Sequence, residues 1–235
     1  MRPIPYVALL TVAATVALTP VAVADDSRGG RNRVAVVPAV NVAGNSASDL
    51  IGDHYALNMA LPAARSPFGG TADLCLSIGH RGRVLVPTGG VVVEGEGIEM
   101  TCVVKVGRPV VVVMTSADCS DAEPDPFYAK TAAAQRACAI DWTVRQSGVT
   151  AINMSMNGRP AVDIHTPRFF AVSPQRFTVF NKDPVFGGTP GPARFVAAGW
   201  LAEITGMNRG RHNLTAVVSV NGAPLDPFIV HFIVV

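Results

Sequence analysis

Apolar and polar positions alternate most strictly in the C-terminal half of the chain. Ile152, Met154 and Met156 alternate with Asn153, Ser155 and Asn157, a period of two that turns one strand face to a core and the other to water. Asn157-Gly158 then predicts a tight hairpin, because both residues tolerate positive φ, and residues 161–164 return beside the first strand. Leu214, Ala216, Val218 and Val220 repeat the pattern before Asn221-Gly222, which leads into a terminal strand over residues 228–235. Phe177-Thr178-Val179-Phe180 and residues 195–204, holding Trp200, are two further strands.

The middle of the chain, residues 101–142, reads differently. After Cys102 come Val103, Val104 and Val106, a break at Gly107-Arg108-Pro109, and then four consecutive valines from Val110 to Val113. That run is too apolar for a strand with one wet face, so it predicts a central strand covered on both sides. Asp125 before Pro126 predicts a helix start, with the helix over residues 126–139. Phe127, Ala134 and Cys138 fall near one stripe of it, from which Cys138 reaches back to Cys119. Nearer the N-terminus, residues 34–42, 74–78, 83–86 and 91–93 read as strands, with turns at Gly79-His80-Arg81-Gly82, Gly89-Gly90 and Gly95-Glu96-Gly97. Residues 49–61 fit either a short helix or a strand ending at Pro62. Many short strands and one short helix predict a mostly β fold, an antiparallel β-sandwich or jelly roll.

Residues 1–24 have an early Arg2, an apolar stretch and Ala22-Val23-Ala24 before Asp25-Asp26, the pattern of a secretory signal peptide. Residues 25–33 are polar and Gly-rich and read as a flexible leader, which leaves residues 34–235 as a single β domain. No later apolar run is long enough to span a bilayer, so no transmembrane segment is expected after the leader. The chain carries 19 Lys and Arg against 17 Asp and Glu. This near balance, with no basic cluster, argues against a nucleic-acid binder. Arginine greatly outnumbers lysine, and Ala, Gly, Val and Pro abound, a composition of high-GC bacteria.

An even count of cysteines in an exported chain predicts two disulfides among Cys75, Cys102, Cys119 and Cys138. Three connectivities can be drawn; Cys75–Cys102 with Cys119–Cys138 is favoured because each bridge closes a short loop, worth on the order of 3 kcal/mol. The absence of any Cys-x-x-Cys knuckle speaks against zinc.

Several motifs in this region resemble a family of secreted actinobacterial proteins of unknown function. They are Cys102 followed by Gly107-Arg108-Pro109, the valine run and Cys119; Cys138; Gly188-Thr189-Pro190; Ala198-Gly199-Trp200; and Gly210-Arg211-His212. The similarity covers residues 74–220. The family's Gly-Tyr-Trp lacks its tyrosine here and its Pro-Gly-x-His lacks its proline. The resemblance implies export and a β-rich fold, and carries no activity.

No Gly-x-Ser-x-Gly elbow, Ser-x-x-Lys pair, His-Glu-x-x-His helix or phosphate-cradling loop occurs, so the sequence nominates no catalytic residue, metal site or cofactor. His54, His80, His165, His212 and His231 are scattered without ligand spacing, and His212 reads as ordering the turn into its strand. Asp118, Asp121, Glu123 and Asp125 form the dense carboxylate cluster, whose readings are a loop that holds calcium and a solvated helix start. Tyr128, Phe169, Phe170 and Phe186 are the aromatics expected at the surface, where they would stack on sugar rings, beside a Gly/Pro loop over residues 187–192. The expected role is a non-enzymatic binding or structural module of the cell envelope or extracellular space. Its partner would be a cell-wall glycan or another extracellular protein. The alternatives are a carbohydrate hydrolase whose residues converge in space, and a protein-interaction module that uses the terminal strand over residues 228–235 as a free edge.

Overall fold

A computed structural model describes residues 33–66, 75–88, 97–184 and 187–235. The expected signal peptide, the strand at 91–93 and Phe186 lie outside these residues. In chain order the strands are β1 (Ala35–Pro38), β2 (Asn41–Val42), β3 (Asn45–Ser46), β4 (Cys75–Ile78), β5 (Val84–Pro87), β6 (Ile98–Val104), β7 (Val110–Ser120), β8 (Val149–Met156), β9 (Val162–Asp163), β10 (Phe170–Val172), β11 (Arg176–Phe180), β12 (Gly191–Thr205), β13 (Gly210–Val220), β14 (Ala223–Pro224) and β15 (Phe228–Val234). Two α-helices join them, α1 (Ala47–Ala60) and α2 (Ala132–Asp141), the second continuing into a π turn, Trp142–Gln146.

The protein is mostly β and sandwich-like, as the strand pattern predicts. One large sheet runs β1-β12-β7-β5-β4, with β10 and β11 also on β12; a second runs β6-β15-β13-β8-β9, with β14 on β13; and β2 and β3 pair by themselves. Their facing sides share a core: Val110, Val112, Met114, Trp200 and Ile204 from the first meet Ile152, Met154, Leu214, Val230 and Phe232 from the second. The four-valine strand is central, lying between β12 and β5. Val110 and Val112 face the second sheet, while Val111 and Val113 face α1, so the run is apolar because both of its faces are covered.

The structure departs from the sequence-based expectation in three places. One helix is expected, and two α-helices are found among the described residues. The ambiguous segment is helical because Ser46 and Asp49 close a capping box: Ser46 Oγ accepts from Asp49 N at 3.1 Å, and the Asp49 carboxylate accepts from Ser46 N. Leu50, Ile51, Tyr55 and Met59 of α1 then bury against the outer face of the first sheet, each such side chain stabilising by about 2 kcal/mol. The other helix starts at Ala132, with Thr131 as cap, rather than at Pro126. Residues 127–129 are committed to β7 instead, since Ser120 N donates to Phe127 O and Ala129 N to Ser120 O. Finally, not every pairing is antiparallel: β15 runs parallel to β6, and β5 meets β7 in parallel at Leu85 and Val110. The terminal strand, flanked by β6 and β13, is therefore interior to its sheet and offers no free edge.

The two cystines fasten this arrangement at different places. Cys75 is bonded to Cys102, with Cα atoms 5.8 Å apart, and joins β4 and β6, the outer strands of the two sheets. Cys119 is bonded to Cys138 at 6.0 Å and joins β7 to α2. In that second region Cys119, Ala198, Ala139 and Ala129 form a small core, with Phe127 and Trp142 in ring contact at 4.8 Å.

Candidate functional site

The end of the first sheet where β7, β11 and β12 meet carries two of the four acidic side chains that the sequence singled out, Asp118 and Glu123. Asp118 lies on β7 opposite Ala197 and is 4% exposed. Glu123, in the loop after β7, is 5% exposed. The two carboxyl groups act on each other, and each keeps one oxygen that no donor reaches. Burial pushes Glu123 up to about 7. Burial, followed by the charge of Glu123, holds Asp118 well above the usual carboxylate range. Tyr55 of α1 stands beside them, its hydroxyl bonded to Ser116 Oγ at 2.9 Å, and burial with the two nearby carboxyls keeps the phenol protonated.

The remaining acidic residues go elsewhere. Asp121 accepts a bond from Arg194 N at 2.7 Å, and Asp125 is exposed. The four carboxylates of the cluster thus do not converge on one point, and among the described residues no three Asp, Glu, His or Cys side chains gather at ion-binding distance. An occluded, acid–acid pair offers no room for the opposed carboxylates of a glycosidase.

The histidines are also dispersed. His54 is buried in α1, where burial depresses it to about 4. His80 is exposed, and its backbone N–H bonds to Asn45 Oδ1. His165 packs on Trp200 with ring centroids 4.5 Å apart. His212 lies 2.8 Å from Asn208 O through Nε2 and 3.1 Å from Asn157 Nδ2 through Nδ1, which ties two turns together. His231 bridges three strands, with Nε2 2.7 Å from Glu99 Oε1 and Nδ1 2.8 Å from Asn213 Oδ1.

The aromatic set divides. Tyr128 is 50% exposed. Phe169 is instead a core residue, and Phe170 is half-buried, paired with Trp200 across β10 and β12 with ring centroids 5.0 Å apart. The expectation of surface stacking fails for both, because β10 folds back onto β12 and carries them into the sandwich. Sequence reasoning missed the most exposed aromatic among the described residues, Phe177, which is 64% exposed with Val179 beside it at 53%. Thr178 and Phe180 of the same strand face α1, so Phe177 and Val179 take the opposite side. Their direct cross-strand partners, Arg194 and Pro192, are exposed as well. These four side chains make a strip on one face of the β11–β12 ladder. An alternating strand with apolar residues on both sides gives no sign of which side is wet, so only the position of α1 reveals the strip.

No family model matches the chain, and no curated protein matches it. A solved structure described as "Structure of PbICP-C in complex with falcipain-2" is similar at 10% identity and a TM-score of 0.28, over 65% of this chain and 99% of that one. A likeness of that degree carries no argument about function.

Proposed function

We propose that this chain is an exported, non-enzymatic binding module of the cell envelope or extracellular space, and that it binds a protein partner through the strip formed by Phe177, Val179, Pro192 and Arg194. The observation that carries the reading is the exposure of Phe177 beside an exposed valine on the same sheet face. Leaving such side chains in water forgoes about 2 kcal/mol of burial each, and aromatic and Arg side chains are the usual anchors of protein interfaces. The signal-like N-terminus, the two cystines and the resemblance to exported actinobacterial proteins support the location. A protein fits better than a glycan. A sugar platform needs hydrogen-bonding side chains around the ring, and two of the three neighbours of Phe177 are Val179 and Pro192.

The test is a comparison of the mature chain with its Phe177→Ser/Val179→Ser variant in pull-downs against envelope proteins and isolated cell wall. Both substitutions are at exposed positions, so melting temperature should stay unchanged. A protein ligand lost in this variant and kept in Tyr128→Ala is the expected result. Retention on cell-wall glycan by both, or release of a product from it, overturns the reading.

A further inference from the structure

The Asp118–Glu123 pair joins a strand to a loop with no cation at hand. The groups acting on the two carboxyls are their own burial, each other, Ser120 and the Asp118 backbone. Asp118 Oδ2 and Glu123 Oε2 are each out of solvent contact without a donor. Two ionised carboxylates cannot share such a place, whereas a proton held between them supplies the missing donor. From α1 the pair is faced by the Tyr55 phenol, which raises no positive charge against it. Phe180 of β11 and Ala193, Phe195 and Ala197 of β12 belong to the same apolar cluster as Tyr55, and they bring no titratable group.

The loop that carries Glu123 is attached to its surroundings by hydrogen bonds, among them Arg194 N to Asp121 Oδ1 at 2.7 Å. Ser120 Oγ accepts from Ala122 N at 3.2 Å and from Glu123 N at 2.9 Å. Asp121 N donates to Arg194 O at 3.1 Å, and Thr189 N donates to Ala122 O at 2.7 Å. A Cβ on Gly188 would sit 2.5 Å from the Phe180 ring, so the neighbouring loop closes down on the same spot.

We propose that Asp118 and Glu123 form a proton-held latch. While Glu123 keeps its proton, the neutral pair fastens residues 121–126 to the end of the first sheet. When the Glu123 proton leaves to water, the carboxylate left behind is a buried anion with no cation to meet it, so Glu123 turns to solvent and the loop comes away from β12. The device makes the β7–β12 end of the protein tight in mildly acidic surroundings and looser in alkaline ones. Its strength follows from proton linkage. With Glu123 near 7 in the closed loop and at its ordinary 4.5 in the open one, the closed-to-open ratio falls about tenfold between pH 6 and pH 8.

Amide exchange of the full mature chain, read by NMR as protection factors, tests this directly. The amides of Asp121, Glu123 and Thr189 should lose about tenfold in protection from pH 6 to pH 8. Leu225 and Val235, whose amides bond Val218 O and Val104 O in the other sheet, should not change. Glu123→Gln keeps a donor facing Asp118 without a titrating proton, so its loop should stay protected at both pH values. Should that variant fail to fold, Glu123→Met, which also carries no proton to lose, offers the same readout. Loop protection that tracks the second sheet in the wild type, or an undiminished pH effect in either variant, overturns the latch. So does recovery of protection at pH 8 on adding millimolar calcium, since the pair would then hold a cation and not a proton.

Discussion

Removing the Cys75–Cys102 bridge should cost the protein about 4 kcal/mol, and most of that can be worked from chain statistics. The bridge spans 27 residues. Releasing it frees the unfolded chain by about 3.5 kcal/mol, and trimming the buried Cys102 sulfur in a Cys75→Ala/Cys102→Ala variant removes roughly 1 kcal/mol of packing. The Cys119–Cys138 bridge spans 19 residues, so its loop term is smaller by only about 0.3 kcal/mol. Loop length therefore does not separate the two, but location does. Cys75 and Cys102 tie the outer strands of opposite sheets, whereas Cys119 and Cys138 tie a strand to the helix packed on it. Urea unfolding of both double variants reads this. The first should lower the midpoint strongly, raise the dependence on urea as the unfolded chain expands, and expose β4 and β6 amides to exchange. The second should leave those two strands protected. A loss under about 1 kcal/mol for the first variant, or equal loosening of β4 and β6 in both, would refute the reasoning.

Gly199→Ala should destabilise by about 1–3 kcal/mol, because the new Cβ would lie 2.6 Å from Ser116 Cβ and 3.3 Å from Ile51 Cδ1; an unchanged urea midpoint counts against this packing. Stability should also vary with pH in a signed way. Glu123, up at about 7 from 4.5, keeps its proton in the folded chain after the unfolded chain has lost it. Its contribution is complete below pH 4.5 and falls by about 3 kcal/mol as pH rises to 7, with Asp118 adding in the same direction. His54, depressed from 6.5 to about 4, acts oppositely and removes about 3 kcal/mol as pH falls from 6.5 toward 4. The urea midpoint should therefore drop most steeply just above pH 6.5, where His54 no longer offsets the carboxyls, and a midpoint that rises there would exclude this account.

Much of the second sheet was legible in the sequence. Its strands are half-wet, so period two survives in 149–156, 210–220 and 228–234, and both Asn-Gly pairs adopt the positive φ that their hairpins require. Helix α1 was harder to read, because its buried positions include His54 and Asn58. The usable signal was its capping pair, Ser46 and Asp49, rather than its apolar stripe. The parallel partner of β15 lies over a hundred residues upstream in β6, and no local pattern points to it. Glu123 was misleading for a related reason. It sits among Asp121, Pro124 and Asp125, which read as a solvated loop, and only the fold shows that it turns inward to meet Asp118.

The deepest illegibility is a single residue. Through Met114 the even positions of β7 face the second sheet, and Met114 stands opposite Trp200. Ser116 then stands opposite Gly199, so Thr115, at φ 30°, is an extra residue with no counterpart on β12. Beyond it the parity reverses. Even-numbered Ser116 and Asp118 now reach Tyr55 on the α1 side, and odd-numbered Cys119 reaches α2. Strict alternation carried through from Val110 would point Asp118 at α2 and Cys119 at α1. Neither the cystine with Cys138 nor the carboxyl pair with Glu123 could then form. Both features that distinguish this end of the sheet depend on a bulge that a run of Val, Met, Thr and Ser does not announce.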